Sequence, residues 1–307
     1  MTMTWRDSFR SWRRNLKASL PYVRRRKLRV LQRKYNELIE GMGWNAPPAN
    51  LARLDTLKAM PGALTGEVCF FVTFAARPQL KHHVRAHIDQ LLRAGVQVLL
   101  VVNAELPLDQ FQVDAELLSR LTGAYVRQNT GFDFAAWAHL YSISGDTTNW
   151  SRLYLVNDSI VGPLDVGHFV RLIERIRAST ADVLGLTFSK SPVPHVQSFF
   201  LVFNRIALRS QAVQDLFKRI VSLPTKDQVI DVYETRLTQM LTRQGLRCES
   251  LFAPLTDSPY ATNDVYRRWD QLVAGGFPYV KARVLKDLTG SALVRRLVPV
   301  EFQQPDA

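Results

Sequence analysis

Short apolar runs, each ended by a polar cluster, alternate along this chain with stretches whose apolar positions recur every three or four residues. Val68–Phe74 and Leu153–Val156 show no apolar–polar alternation, so each predicts a strand buried on both faces. Val96–Val102, Ala124–Val126, Asp182–Phe188, His195–Phe203 and Arg247–Phe252 predict further strands. Helical spacing predicts helices over His82–Ala94, closed by Gly95, within Leu106–Leu121, from near Asp133, and over Phe169–Ser179. Lys226–Gln244, closed by Gly245, and Asn263–Ala274 predict two more. Strands alternating with helices at this spacing predict an α/β fold, a mostly parallel central sheet flanked by helices.

Charge divides the chain. Its net charge is +13, and residues 1–40 hold twelve Lys or Arg against three acids, which is nine of those charges. Trp5, Phe9, Trp12, Leu16 and Leu20 fall on one helical face before Pro21, and a second basic helix is expected from Tyr22 to about Glu40. Basic amphipathic N-terminal helices of this kind suit an anionic membrane surface, and the aromatic stripe favours that reading. A nucleic-acid arm would use the same charges, and a solvated tail needs no partner; nucleic acid is the less expected partner, since the remainder carries no RNA-binding motif. Residues 41–65, with Gly43, Pro47, Pro48, Pro61 and Gly62, read as a linker. Residues 66–286 form the expected folded domain, and 287–307 a C-terminal tail. No secretory signal or membrane-spanning run is seen, so a cytoplasmic protein, peripheral on the inner face of the membrane, is the expectation. Cys69 and Cys248 lie far apart in apolar runs and read as buried thiols. His83 and His87 have metal-pair spacing, but no carboxylate accompanies them as in a helical zinc motif, so they read as surface-helix residues.

The candidate chemistry sits where strands end. Asn157-Asp158-Ser159 closes the buried Leu153–Val156 run, the position where open α/β sheets place ligands. Arg127-Gln-Asn129-Thr-Gly131-Phe-Asp133 follows another strand and opens a helix, and a helix start suits an anion. Arg127 could pair with a diphosphate through its planar fork. Asp133 either caps the helix or binds a ribose or sugar hydroxyl. His195, Gln197 and Ser198 stand at the mouth of a strand, where they hold a substrate hydroxyl or cap the strand.

In order and spacing these segments resemble the rhamnan synthesis F family of bacterial polysaccharide assembly. The matching residues are Arg127, Asn129, Gly131, Asp133 and Trp137, then Asn157-Asp158-Ser159 with Gly162-Pro163. They continue through Gly185-Leu186-Thr187, His195, Gln197, Ser198 and Phe200, then Tyr233-Glu234, Leu237, Gly245, Gly276-Phe277-Pro278 and Lys281. The resemblance spans about 66–286. The segment order is also similar to inverting glycosyltransferases of the GT-A fold, where a helix of pattern Leu-x-x-x-Leu-x-x-x-Gly follows an acidic pair. Leu237, Leu241 and Gly245 have that spacing, which puts Glu234 on the acid that acts as base; Tyr233 replaces the first acid.

The resemblance implies a GT-A-like nucleotide-sugar-binding fold. It implies a glycosyltransferase moving a sugar, such as rhamnose from dTDP-rhamnose, to a lipid-linked or growing polysaccharide acceptor. Glu234 is then the catalytic base. Arg127, Asn129, Gly131, Asp133, Asn157, Asp158 and Ser159 bind the donor, and His195, Gln197 and Ser198 the acceptor. Asp158 would be the ligand of a divalent cation, Mg²⁺ or Mn²⁺. Asn157-Asp158-Ser159 departs from the Asp-x-Asp metal motif, which leaves that cation open and motivates a second reading: a non-catalytic glycan-binding or assembly subunit that keeps the fold.

Overall fold

The computed structural model of the chain describes residues 46–256 and 263–304. The predicted N-terminal helices lie outside the described residues. Among the described residues there are twelve strands: β1 (Leu54–Lys58), β2 (Gly66–Ala75), β3 (Gln97–Ala104), β4 (Gly123–Gln128), β5 (Trp150–Asn157), β6 (Ile160–Val161), β7 (Val183–Gly185), β8 (Phe188–Ser189), β9 (His195–Val196), β10 (Phe200–Asn204), β11 (Cys248–Ser250) and β12 (Val280–Lys281). Eight build one sheet in the order β1-β4-β3-β2-β5-β10-β7-β11. The β4-β3, β3-β2, β2-β5 and β7-β11 contacts are parallel; β1-β4, β5-β10 and β10-β7 are antiparallel. Val68–Val72 and Leu153–Val156 are buried throughout, as expected of the two strands at the centre of the sheet.

The helices used below are α1 (His82–Arg93), α2 (Ala115–Arg120), α3 (Phe132–Ile143), α4 (Val166–Ala178), α5 (Gln211–Arg219) and α6 (Thr235–Arg243). α3 is buried from Phe134 to Leu140 with no polar stripe, and the Trp137 indole donates to the Phe70 carbonyl of β2 at 3.1 Å. A helix apolar all round must be covered on several sides; α3 packs against β2, β3 and α5. α1 and α4 each have one apolar face in the core, Val84, Ile88 and Leu91 on one and Phe169, Leu172, Ile173 and Ile176 on the other.

Chain order explains where a ligand can enter. From β2 the chain steps outward to β3 and then β4, and afterwards returns to place β5 on the other side of β2. Connections on the two sides of β2 therefore diverge. The crevice beyond the carboxyl ends of β2 and β5 is the switch point of the sheet.

Several expectations change. Residues 41–65 are not only a linker: Leu54–Lys58 is the antiparallel edge strand β1. The predicted strand 182–188 stops at Gly185, and the predicted strand 195–203 is split into β9 and β10. The cause is a crossing: a Cβ on Gly185 would lie 2.8 Å from the Cβ of Val196, so β9 passes directly over β7. The N–H of Val196 is taken by the Thr238 hydroxyl at 2.9 Å, and that of Gln197 by the Thr187 carbonyl at 3.0 Å. The predicted helix over 226–244 is interrupted by a π turn at Ile230–Glu234, before α6. The 263–274 helix breaks at Arg268 into Asp264–Arg267 and Trp269–Ala274. The C-terminal tail is packed: Val294, Val298 and Phe302 join Val161, Trp269, Val280 and Leu285 in a satellite core. His83 and His87 are buried, not on the helix surface. The His87 ring lies against Phe71, Phe169, Phe200 and Tyr279, and the Tyr279 hydroxyl is 2.8 Å from its Nε2. That apolar cage pulls the imidazole down to about 3, mainly by burial and then by the charge of His83. Cys69 is fully buried and Cys248 half-buried, both as free thiols.

Candidate functional site

At the switch point the carboxylate of Asp158 ties β5 to β2. Its Oδ2 accepts from the Thr73 hydroxyl at 2.7 Å, the Phe74 N–H at 3.1 Å and the Lys81 ammonium at 2.7 Å. Lys81 occupies the position just before α1. Asn157, one residue earlier, faces another way. Its Nδ2 donates to Asp133 Oδ2 at 2.8 Å, and its Oδ1 accepts from the Ser159 N–H and hydroxyl at 3.1 and 2.6 Å. The Lys281 ammonium donates to the Ser159 oxygen at 3.0 Å and lies 3.9 Å from the centre of the Phe199 ring. A run of three polar residues after a buried strand thus gathers α3, β2 and β12 at one place. Asp133 does not cap its helix; it is the partner of Asn157.

A second carboxylate adjoins this group. Glu234 ends the π turn, and its Oε2 accepts from the Ser198 hydroxyl at 2.8 Å. His195 donates from Nδ1 to the Val193 carbonyl at 2.7 Å, which turns Nε2 towards Glu234 Oε1, 3.7 Å away. Tyr233, the neighbouring residue, points elsewhere: its ring stacks on Phe134 and its hydroxyl accepts from the Val221 N–H at 2.9 Å. Gln197 does not join Glu234. Its Oε1 accepts from the Thr187 hydroxyl at 2.7 Å.

The charges are mutually felt. Burial, followed by the charge of Asp158, raises the Asp133 carboxyl to about 6, against the opposing pull of Lys226 and the Asn157 hydrogen bond. Burial lowers the Lys281 ammonium to about 8, with the charge of Glu234 acting the other way. Burial pushes the Glu234 carboxyl up, but contact with His195, the charge of Lys281 and the Ser198 hydrogen bond outweigh it. Glu234 therefore sits below the ordinary carboxylate range and is ionised at neutral pH.

Three sequence candidates stand apart from this group. Arg127 is fully buried. Its guanidinium donates to the carbonyls of Ala49, Gln128 and Thr130 at 3.0, 3.1 and 2.7 Å, and more weakly to Asn103 Oδ1 and His139 Nδ1 at 3.3 Å each. Its planar fork holds the loop that enters α3, and it has no exposed face for a diphosphate. Asn129 donates to Glu105 at 3.1 Å and lines a cleft of about 610 Å³ with Arg53, Ala104, Leu106 and Gln128, at the ends of β3 and β4. Gly131 precedes α3 at φ +70°, and a Cβ there would lie 2.5 Å from both Ala135 Cβ and Ser222 Cα. Its glycine is required by packing and backbone shape.

The rhamnan synthesis protein F family matches residues 98–301, more than half of the chain. The chain belongs to that family. Membership in the rhamnan synthesis protein F family ties the chain to polysaccharide synthesis. The match takes in Asp133, Asn157–Ser159, Glu234 and Lys281, whereas Thr73 and Lys81 precede it. The chain is also similar to the Virulence protein VirA of Vibrio anguillarum, 25% identical over 243 residues, 68% of this chain and 75% of that protein. Among solved structures it overlaps the catalytic domain of Drosophila beta1,4-galactosyltransferase 7 in complex with xylobiose. That overlap has 13% identity and a TM-score of 0.33 over 67% of this chain and 74% of the other, too loose to carry chemistry across.

A divalent cation at Asp158 would need several hard oxygen ligands with free lone pairs. Asp158 Oδ2 is already engaged by three donors, one of them an ammonium. Asp133 Oδ2 accepts from Asn157, and Glu234 from Ser198. Among the described residues no three His, Cys, Asp or Glu side chains gather into a metal-holding group. With these oxygens engaged, the donor set as it stands does not fit a Mg²⁺ or Mn²⁺ clamp. The strand-end signal found the Asn157–Ser159 node. It missed Lys81 as a partner and gave Lys281 no role, although each lysine stands directly beside a buried apolar element.

Proposed function

We propose that this protein is a glycosyltransferase that moves a sugar from a nucleotide donor to a growing polysaccharide. One observation carries the reading: an ionised, half-buried carboxylate, Glu234, electrostatically coupled to the polar node at the switch point of an α/β sheet. The donor occupies the crevice at Asn157, Asp158 and Ser159, with Asp133 set by Asn157. Glu234 takes the proton from the acceptor hydroxyl as that oxygen bonds to the sugar carbon. The bond from that carbon to the diphosphate oxygen breaks through an oxocarbenium-like state. Ser198 and His195 hold Glu234 in position, and it is in the ionised form that can accept a proton. We extend the proposal to a rhamnose donor such as dTDP-rhamnose and a lipid-linked acceptor. Residues 1–40 would then hold the enzyme on the anionic inner face of the cytoplasmic membrane. Family membership, and for the membrane the charge and aromatic stripe of that segment, support the extension.

Release of nucleoside diphosphate from a panel of nucleotide sugars, with and without polysaccharide acceptor, tests this. Turnover of one donor, lowered about 10²- to 10⁴-fold by Glu234→Gln with nucleotide affinity retained, is expected. Equal turnover in wild type and Glu234→Gln would remove Glu234 from the chemistry. The engagement of Asp158 by Lys81 favours one other reading, a non-catalytic glycan-binding subunit. Glycan binding without turnover of any donor would establish it.

A further inference from the structure

We propose that the donor's diphosphate is held by the side-chain ammonium groups of Lys81 and Lys281, in place of a divalent cation. The inference rests on the nucleotide-sugar reading above. Two cations meet at consecutive residues of the switch-point turn, Lys81 on Asp158 and Lys281 on Ser159. They come from separate elements, the turn before α1 and strand β12, so the tertiary fold assembles the pair. Lys81 also precedes a twelve-residue helix, whose positive dipole end adds to the field at the same crevice.

Lys281 is the stronger evidence. Its residue is only 7% exposed, yet the groups it touches are a hydroxyl and an aromatic face, not a carboxylate. A buried ammonium with so little direct compensation is costly. Asp133, Asp158, Glu234 and Lys226 act on it only through space. An incoming phosphate oxygen would give the ammonium a direct ionic contact, and the cation–π contact would hold it in place. A divalent cation has the opposite problem. To reach Asp158 it must displace or repel an ammonium already 2.7 Å from the carboxylate oxygen. Three acids, Asp133, Asp158 and Glu234, face three lysines, Lys81, Lys226 and Lys281, so the node is close to neutral before any ligand arrives. A diphosphate is therefore not repelled by excess negative charge.

Calorimetric titration of the full chain with UDP, dTDP and GDP, each in EDTA and in Mg²⁺ or Mn²⁺, tests the inference. The expected result is one nucleoside diphosphate that binds equally, within about twofold, in EDTA and in metal. Lys81→Met should weaken it about tenfold, equivalent to about 1.4 kcal/mol, and Lys81→Arg should restore most of the loss. The matching nucleoside, without phosphates, should bind wild type and Lys81→Met alike, which separates loss of a phosphate contact from general damage. Lys281→Met should weaken the diphosphate similarly; because Lys281 is buried, the more exposed Lys81 supplies the variant whose folding is secure. Binding seen only with metal, or Lys81→Met binding as wild type, would overturn the inference and leave the glycosyltransferase reading intact. No binding of any diphosphate in either condition would overturn both.

Discussion

Replacing Arg127 by Met tests whether its guanidinium is a clamp on the protein or a ligand for the donor. The side chain is fully buried and makes three hydrogen bonds of 2.7–3.1 Å to backbone carbonyls and two of 3.3 Å to Asn103 and His139. Hydrogen bonds from a charged donor contribute about 1.5–3 kcal/mol each, so the three short ones together stabilise the fold by roughly 4–9 kcal/mol. Against this stands the burial of the charge, which pulls the guanidinium down from its ordinary value to about 10. At about 1.4 kcal/mol per pKa unit its removal relieves roughly 3 kcal/mol. Met fills much of the vacated volume. The expected net loss is about 3 kcal/mol, a fall in melting temperature of about 6–12 °C for a domain of this size. Thermal unfolding of wild type and Arg127→Met in one buffer reads it, and nucleoside diphosphate affinity of the still-folded variant is measured below its transition. An unchanged melting temperature together with a tenfold loss of diphosphate affinity would refute the reasoning and return Arg127 to the donor site.

Gly131→Ala should destabilise the fold by about 2–4 kcal/mol, because the new methyl group meets the Ser222 backbone and Ala135 in a left-handed conformation; a denaturant midpoint equal to wild type would contradict the close approach. Asp133→Asn should alter the pH dependence of stability with a defined sign. The folded-state carboxyl, at about 6, lies above its unfolded value of 3.8, so the native state binds the extra proton between these limits. Wild type should lose stability as pH rises from about 4 to 6, whereas Asp133→Asn should lack that part of the slope. Melting curves at pH 4.5 and pH 7 measure the difference, and parallel behaviour of the two proteins would show that Asp133 does not titrate as described.

The parts of the site that were legible before the structure are those signalled by local contrast. Asn157–Ser159 stands out because three polar residues end a run too apolar to face water. Gly131 stands out as a glycine between a strand and a helix. Glu234 came from the resemblance alone; its position at the end of a π turn, with Tyr233 directed away to Phe134, has no periodicity to announce it. A cation before a helix start suggests an anion, hence a phosphate ligand in Arg127, but a guanidinium satisfies loop carbonyls equally well. Only the packing of Ala49 and the 128–130 turn around it decides between them. Without a zinc-motif carboxylate His83 and His87 read as surface-helix residues, whereas the cage of Phe71, Phe169, Phe200 and Tyr279 that buries His87 comes from four distant segments.

The chain's own pattern determined the α/β class, the two central strands, most helices and the polar turn after β5. These follow from interactions within a few residues: apolar runs long enough to be strands, helical periodicity, and glycines that end helices. Only the tertiary structure decided that the turn faces the switch point, that Lys81 and Lys281 converge on it, and that Arg127 is enclosed. Each of these depends on residues dozens of positions apart brought within about 3 Å, where an ammonium and a carboxylate, or a guanidinium and a carbonyl, act strongly on one another. No local pattern encodes such meetings, because which charge meets which is set by the order of strands in the sheet.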